Sequence, residues 1–351
     1  MISRVLKEDE IRGFRKLLSE SEKIVITCHV SPDGDAIGSS LGLCLLLRKL
    51  GKDVSVITPD MPLLSLRHLT GWRDIIAYSK YTDFGTAKIN DADLIFCLDY
   101  NSLYRIDRMK DAVADAKAKK IMIDHHLGPE SFCDLIVSYP RMTSTCELLF
   151  HVICELGLFG EVDRECAECI YTGMMTDTGN FSYNSNVPDL YIMIAELLKK
   201  GIDKDRLYTL AMNTNSISRV KLMGYATSQK MEIFPENRVA LITLTREELK
   251  RFDYQKGDTE SLVNVPLSIP TVNWSVFLRE DADYIKVSTR SKGEFEVNRV
   301  CENYFNGGGH KNAAGGEFYG TMDEAIATFK KVLEDLNKNN KHIHETNGNK
   351  K

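Results

Sequence analysis

The sequence of 351 residues contains no apolar segment long enough to cross a membrane and no leader-like segment at its beginning. Its longest apolar run lies within residues 41–47, whereas a membrane-spanning helix needs about 20 apolar residues. Residues 1–22 are heavily charged and lack the apolar core of a secretory signal. We therefore expect a cytoplasmic protein that does not associate with membranes.

An excess of basic residues is also absent. The 45 Lys and Arg residues are outnumbered by 50 Asp and Glu residues, which gives a net charge of −5. This balance disfavours a general nucleic-acid coat but leaves room for a local basic groove that holds a short anionic substrate. Nine cysteines without a secretory signal predict reduced thiols. Cys166 and Cys169 have no second pair with which to form a zinc site, so core packing is favoured for them.

Apolar segments typical of strands alternate with helical segments in the first half of the chain. The predicted strands are 23–29, 54–58, 93–99 and 120–126, and the predicted helices include 37–50, near 111–119, 144–156 and 162–176. This alternation predicts a mostly parallel α/β sheet with helices on both faces.

The pattern changes in the second half. Strands at 239–245, 272–280 and 284–291, followed by helices at 297–304 and 322–336, predict a smaller α/β domain with a mixed sheet. The predicted organisation is a first domain at 1–190, a helical linker at 191–215, a second domain at 216–340 and a flexible tail at 341–351.

Polar side chains follow three of the predicted strands of the first domain, and one more carboxylate follows a helix. Because the carboxyl ends of parallel strands share one edge of the sheet, we expect these side chains to converge. Carboxylates combined with imidazoles are ligands that fit Mn²⁺ or Mg²⁺ better than they fit a zinc-finger site. The two groups of side chains together offer enough ligands for two ions about 3.5–4 Å apart. Capped loops with solvated aspartates are the alternative. The residues are His29, Asp33, Asp35, Asp99, Asp124, His125, His126 and Asp177.

A glycine run, Gly307–Gly309, lies in the second domain. Glycines allow backbone N–H groups to approach a phosphate closely, although a plain tight turn would explain the run equally well. His310 and Lys311 follow it directly, and with Arg290 they make a cluster suited to a terminal phosphate or carboxylate.

The order of these motifs resembles the DHH phosphoesterase superfamily. Residues 306–315, Asn-Gly-Gly-Gly-His-Lys-Asn-Ala-Ala-Gly, resemble the Gly-Gly-Gly-His motif of the associated C-terminal domain. The resemblance extends over about residues 8–336 and is greatest to the bacterial nano-RNase and pAp phosphatase group, which includes hydrolases of linear dinucleotides such as pApA. The sequence departs from the pattern at Asn306, where relatives often have glycine.

The resemblance implies a role for each matching residue. His126 would contact the scissile phosphate, and Asp124 would orient a neighbouring histidine. Apart from the matching residues, Arg105 lies six residues after Asp99 and is a candidate phosphate contact, with an exposed ion pair as the alternative. One metal ion would be held by His29, Asp33 and Asp99, the other by Asp35, Asp99, His125 and Asp177, and the substrate's end by Ser288, Arg290, Gly308, Gly309 and His310.

The function expected from this resemblance is that of a two-metal phosphodiesterase acting on short oligoribonucleotides or linear dinucleotides, and on pAp as a 3′-phosphatase. The cofactor would be Mn²⁺, with Mg²⁺, Co²⁺ and Fe²⁺ as alternatives. The site would lie in the cleft between the domains, and the chain would form a homodimer. The alternatives are hydrolysis of pyrophosphate or polyphosphate, hydrolysis of cyclic dinucleotides, and an inactive nucleotide-binding regulator. The intact set of predicted ligands disfavours the last.

Overall fold

The computed structural model describes residues 2–348, and the surroundings of side chains within residues 2–338. It divides into two compact units, Met1–Thr214 and Asn215–Lys351. Residues 349–351, the end of the predicted flexible tail, lie outside the described residues. No helix within the described residues is both long and apolar enough to cross a membrane.

The sheet of the first unit is parallel throughout, as predicted. Within the described residues it has the strand order β3-β2-β1-β4-β5-β6, and every neighbouring pair runs in the same direction. The strands are β1 (Lys23–Thr27), β2 (Asp53–Thr58), β3 (Ile76–Ala77), β4 (Leu94–Leu98), β5 (Lys119–Asp124) and β6 (Leu135–Ser138).

Helices cover both faces of this sheet. Ile24 and Ile26 of β1 belong to one buried cluster, whereas Val25 between them belongs to another on the opposite face. This is the doubly covered arrangement that the nearly continuous apolar strands predict. The helices are α1 (Glu8–Ser19), α2 (Gly34–Lys49), α3 (Thr82–Asn90), α4 (Lys110–Asp115), α5 (Thr145–Glu155), α6 (Arg164–Asp177), α7 (Pro188–Lys199) and α8 (Lys204–Met212).

Two predicted boundaries in the first unit differ from the structure. Helix α2 begins at Gly34 rather than near Ile37, because the Asp33 carboxylate accepts hydrogen bonds of 3.0 Å from the N–H groups of Asp35 and Ala36 and caps the helix. The predicted linker at 191–215 contains most of α7 and all of α8, and both helices belong to the first unit.

The second unit has the predicted mixed sheet. Its order within the described residues is β11-β12-β10-β9-β8-β7; β8 and β9 are parallel and the other pairs antiparallel. Helix α12 continues past the predicted end at residue 336, since no Gly or Pro interrupts residues 337–347. The elements are α9 (Ile217–Gln229), β7 (Met231–Phe234), β8 (Val239–Leu244), α10 (Arg246–Arg251), β9 (Trp274–Glu280), β10 (Ile285–Ser291), α11 (Val297–Tyr304), β11 (Gly307–His310), β12 (Ala313–Phe318) and α12 (Met322–Gly348).

The glycine run is an edge strand and not the plain tight turn that the sequence left open as an alternative. β11 pairs antiparallel with β12 along its whole length. Gly309 has φ +142°, and a Cβ placed on it would lie 2.6 Å from the carbonyl oxygen of Ala313. Only glycine fits this close approach of two strands. The low strand propensity of glycine concealed the pairing from sequence analysis.

Candidate metal centre

Three acidic and imidazole side chains meet where β1 and β4 end. Nε2 of His29 lies 3.3 Å from Oδ2 of Asp99 and 3.8 Å from Oδ1 of Asp33. Nδ1 of His29 lies 2.8 Å from the carbonyl oxygen of Val30. When Nδ1 carries the proton and donates it to that carbonyl, the Nε2 lone pair faces the carboxylates and can bind a metal ion.

A second group lies beside the first, where β5 and α6 end. Nε2 of His125 lies 3.6 Å from Oδ2 of Asp177 and 4.0 Å from Oδ2 of Asp35. Nδ1 of this histidine is 3.2 Å from the carbonyl oxygen of Met142. The ring is therefore oriented as that of His29 is, with Nε2 towards the acidic residues.

Asp99 connects the two groups. Its Oδ2 faces His29, and its Oδ1 lies 3.6 Å from Nε2 of His125. Asp99 follows β4 directly and has φ +62°, a left-handed conformation uncommon outside glycine and asparagine. The two oxygens of one carboxylate thus face two potential cation sites, as a bridging ligand requires.

Asp124 fixes the position of His126. Its Oδ1 lies 2.8 Å from Nδ1 of His126, and its Oδ2 accepts a 2.9 Å hydrogen bond from the backbone N–H of His126. Asp124 is completely buried at the end of β5. The adjacent rings of His125 and His126 are inclined at 67°, so they have different orientations.

The start of α5 holds two of the carboxylates and was not assigned to the site from sequence. The N–H groups of Thr145 and Cys146 donate to Asp35 at 2.6 and 2.9 Å, and the hydroxyl of Thr145 donates to Oδ1 of Asp99 at 2.9 Å. The available signal was a helix start: Ser144 caps α5 by accepting the N–H of Glu147. The helix N-terminus also favours negative charge at Asp35.

Glycines allow α2 and α6 to approach closely. A Cβ on Gly38 would lie 2.5 Å from the carbonyl oxygen of Cys169, and one on Gly173 would lie 2.9 Å from Oδ1 of Asp35. Asp35 stands in the first turn of α2, and Asp177 is the last residue of α6. The close contact of these helices therefore brings their two carboxylates to the same centre.

Several carboxylates are buried together at this centre, and burial disfavours their charged form. Burial raises the pKa of Asp35 well above its usual range, and the charges of neighbouring aspartates add to that effect. Burial also raises the pKa of Asp177 to about 7, partly opposed by His125. Burial lowers the pKa of His29, but its hydrogen bond and charge interaction with Asp99 outweigh this and raise it to about 9.

Asp99 shows the opposite balance. Burial raises the pKa of this carboxyl, but the hydrogen bond with His29 and the nearby histidines lower it below its ordinary value. A carboxylate that remains ionised between two groups of oxygen and imidazole donors fits hard or borderline divalent cations. The donor atoms within each group lie within 4.8 Å of one another. The residues present therefore fit divalent metal ions.

The substrate-binding residues predicted in the second unit lie on β10 and β11, the two strands that flank β12. The register puts Arg290 of β10 and His310 of β11 opposite the same residue of β12, Ala313. Ser288 and Gly308 are likewise both opposite Gly315 of β12. Across two strand spacings, Arg290 and His310 are about 10 Å apart. Gly309 occupies the row between these two.

Arg105 lies in the first unit, in a helical turn that follows Asp99. Its carbonyl oxygen accepts a 2.8 Å hydrogen bond from the N–H of Val30. Since Val30 follows His29 directly, the structure places the backbone of Arg105 beside the metal-capable groups.

Comparisons with known proteins agree with this two-part organisation. The family model "DHH family, N-terminal domain" matches residues 23–174, and the model "DHHA1 domain" matches residues 236–339. The chain is 31% identical over 312 residues to the bifunctional oligoribonuclease and PAP phosphatase NrnA of Thermus thermophilus, covering 89% of this chain and 88% of the relative.

Two further relatives are similar over nearly their full length. The bifunctional oligoribonuclease and PAP phosphatase NrnA of Bacillus subtilis is 27% identical over 322 residues, with coverage of 92% of this chain and 96% of the relative. The crystal structure of an exopolyphosphatase-related protein from Bacteroides fragilis is 52% identical with a TM-score of 0.94, covering 95% of this chain and 98% of that one.

Proposed function

On the premise that this chain belongs to the DHH family of metal-dependent phosphoesterases, we propose that it hydrolyses short oligoribonucleotides and linear dinucleotides such as pApA to 5′-mononucleotides. We propose the removal of the 3′-phosphate of pAp as its second activity. The single observation that carries the proposal is the position of Asp99 between two groups of metal-capable side chains.

The proposed ligands follow from these groups. One divalent ion would be held by His29, Asp33 and Asp99, and a second by Asp35, Asp99, His125 and Asp177. When bound, such ions supply Lewis-acid chemistry: they make a water molecule more acidic and offset negative charge on phosphate oxygens. We propose Mn²⁺ as the native ion, with Mg²⁺, Co²⁺ or Fe²⁺ as substitutes, because the donor set is mixed oxygen and imidazole.

His126 is proposed to contact the scissile phosphate, since it lies beside Asp99 and has its own orientation. The distance from its Nδ1 to Oδ1 of Asp99 is 3.7 Å. Asp124 accepts from Nδ1 and so favours the imidazole form that presents Nε2 to the substrate. The backbone N–H of His126 also donates to Asp124, so two contacts with this carboxylate orient the residue.

The second domain is proposed to bind the far end of the substrate. A guanidinium and an imidazole that are level with each other on the two strands flanking β12 suit a terminal phosphate. Arg105 is proposed as a further phosphate contact. The anchoring residues are Ser288, Arg290, Gly308, Gly309 and His310.

Hydrolysis of pApA, a 5-mer RNA, pAp and pyrophosphate, each with Mn²⁺ and with EDTA, tests this proposal. We expect Mn²⁺-dependent AMP release that is fastest on the shortest diester. Phosphate release from pyrophosphate or polyphosphate alone would instead favour the second candidate, hydrolysis of those compounds, which the similarity to the exopolyphosphatase-related protein from Bacteroides fragilis suggests. Opening of a cyclic dinucleotide would extend the substrate range. Metal binding without turnover on any substrate would favour a regulatory protein.

The assembly and location are proposals of the same kind. We propose a homodimer and a cytoplasmic location. The nine cysteines are all unpaired in the structure, which supports a reducing compartment. Sedimentation of the purified chain tests the dimer.

A further inference from the structure

A cavity of about 210 Å³ lies at the same sheet edge as the metal-capable groups. Its floor consists of three buried residues, and its rim carries two carboxylates, one guanidinium and one hydroxyl. The floor residues are Pro59, Tyr78 and Met109, and the rim residues are Asp60, Ser79, Asp107 and Arg108. A buried floor with a few polar groups around it is typical of a site that binds a small molecule.

The strand register fixes how far this cavity is from the metal centre. Thr27 of β1 is level with Ile57 of β2, which is level with Ile76 of β3. His29 and Pro59 both lie two residues beyond this level, on neighbouring strands. Since neighbouring strands are about 5 Å apart, the ends of β2 and β3, which lead into the cavity, lie about one and two strand spacings from the end of β1, which leads into His29. One ribose covers such a distance between a phosphate and a base.

Hydrogen bonds hold the cavity and the metal-binding loop together. Oδ2 of Asp60 accepts the N–H of Ser31 at 3.0 Å, and Ser31 lies between His29 and Asp33. The floor and rim are fixed by the N–H groups of Tyr78 and Ser79, which donate to the carbonyls of Thr58 and Pro59 at 2.8 and 3.0 Å. A hydrogen bond therefore joins the rim of the cavity directly to the loop that carries His29 and Asp33.

The charged rim has a chemical preference. The Asp60 carboxylate accepts hydrogen bonds only, and guanine offers it two adjacent donors, N1–H and the N2 amino group. The Arg108 guanidinium donates in a fork, and guanine offers O6 and N7 together as acceptors. Adenine lacks the paired donors, and the single ring of a pyrimidine covers less of the floor.

We propose that this cavity is a nucleobase subsite, that it receives the base of a nucleotide whose phosphate lies at the metal centre, and that it prefers guanine. The proposal rests on the proposed phosphodiesterase function and names the base that this site selects. Asp60 and Arg108 are its specificity-determining residues.

Equilibrium binding of the four 5′-mononucleotides to the Mn²⁺-loaded chain tests the subsite without requiring turnover. We expect GMP to bind about tenfold more tightly than AMP, since a good bidentate contact contributes about 1–3 kcal/mol of discrimination. Two substitutions, Asp60→Asn and Arg108→Ala, should each bring the ratio of GMP affinity to AMP affinity close to one. The Asn side chain still offers an oxygen to the N–H of Ser31. Arg12→Ala, an exposed arginine on α1, is the matched control and should keep the ratio.

Hydrolysis of pGpG and pApA by the same proteins separates this proposal from the function on which it rests. The subsite is supported if pGpG is hydrolysed faster than pApA at low substrate concentration. Arg108→Ala should abolish this difference by raising the KM for pGpG. Equal binding of all four mononucleotides, or a GMP preference that survives both substitutions, overturns it. Hydrolysis without base preference overturns the subsite and leaves the phosphodiesterase in place. If no diester is hydrolysed, the phosphodiesterase proposal fails, while the GMP-to-AMP binding ratio still decides for or against the subsite.

Discussion

The hydroxyl of Thr145 donates a 2.9 Å hydrogen bond to Oδ1 of Asp99, the carboxylate that faces both groups of metal-capable side chains. Both residues are buried, so water does not replace this bond if it is lost. The start of α5 thus orients Asp99 and, through two backbone N–H groups, Asp35. Orientation of metal ligands by a second layer of hydrogen bonds is a general requirement of metal sites.

The first prediction concerns this bond. Thr145→Val keeps the shape of the side chain but removes the donor, and we expect Mn²⁺ affinity to fall about tenfold or more. Thr145→Ser retains the hydroxyl and should bind Mn²⁺ almost as the unchanged chain does. Isothermal titration of the metal-free proteins measures both. Equal Mn²⁺ affinity in Thr145→Val and Thr145→Ser would show that the hydroxyl does not position Asp99.

The second prediction concerns the contact of α2 with α6. Gly173→Ala adds a methyl group against Cys146 and 2.9 Å from Oδ1 of Asp35. Overpacking of this kind costs about 1–3 kcal/mol, so we expect a lower melting temperature and weaker Mn²⁺ binding. Gly160→Ala is the control, because its Cβ would meet no atom within 4 Å. If Gly173→Ala and Gly160→Ala have the same melting temperature, the close packing of α2 on α6 does not hold Asp35 in place.

The third prediction concerns Arg290. If it anchors the substrate's end, Arg290→Ala should raise KM for pApA more than it lowers kcat, because the reacting atoms are elsewhere. Arg290→Lys keeps the charge but loses the forked geometry and should be intermediate. Lys331→Ala, an exposed basic residue on α12, controls for the loss of one positive charge. An unchanged KM in Arg290→Ala would remove this residue from the site.

The fourth prediction concerns pH. Burial and the neighbouring aspartates raise the pKa of Asp177 to about 7 in the metal-free protein, above the value of about 3.9 expected after unfolding. The folded state therefore holds this proton more tightly, and the stability that the proton provides is lost as pH rises from about 4 through 7. The metal-free chain should melt at a lower temperature at pH 8 than at pH 5.

Replacing this carboxylate tests the cause. Asp177→Asn should raise the melting temperature of the metal-free chain at pH 8 and reduce its dependence on pH between 5 and 8. Asp205→Asn, an exposed aspartate on α8, should leave both unchanged. Metal addition should stabilise the unchanged chain more than Asp177→Asn, since the cation offsets the same repulsion. A pH profile identical in both proteins would contradict this electrostatic account.

Much of the site could be predicted from sequence because strand ends are simple to recognise. The apolar segments before His29, Asp99 and Asp124 read as parallel strands, and parallel strands share a carboxyl edge. The parallel sheet, the mixed second sheet and the metal-dependent phosphoesterase class were confirmed. The role of each named site residue stays a prediction.

Other features depend on contacts between distant segments. Thr145 lies 46 residues from Asp99, and its sequence signal was that of an ordinary helix start. The strand at Gly307–His310 forms because glycines permit close pairing with β12, which strand propensity does not reveal. The cavity beside Asp60 depends on the alignment of β1, β2 and β3. None of these three features leaves a recognisable pattern among residues that are neighbours in the sequence.

The central claim is that two divalent ions at one sheet edge hydrolyse a short phosphodiester. The most direct test is a titration of metal-free chain with Mn²⁺ while AMP release from pApA is followed. The account predicts no release in EDTA and activity that reaches its maximum near two Mn²⁺ per chain. Asp99→Ala should stay inactive at every Mn²⁺ concentration with an unchanged circular dichroism spectrum, whereas Asp9→Ala, exposed on α1, should behave as the unchanged chain. AMP release in EDTA, or near-normal activity of Asp99→Ala, would contradict it.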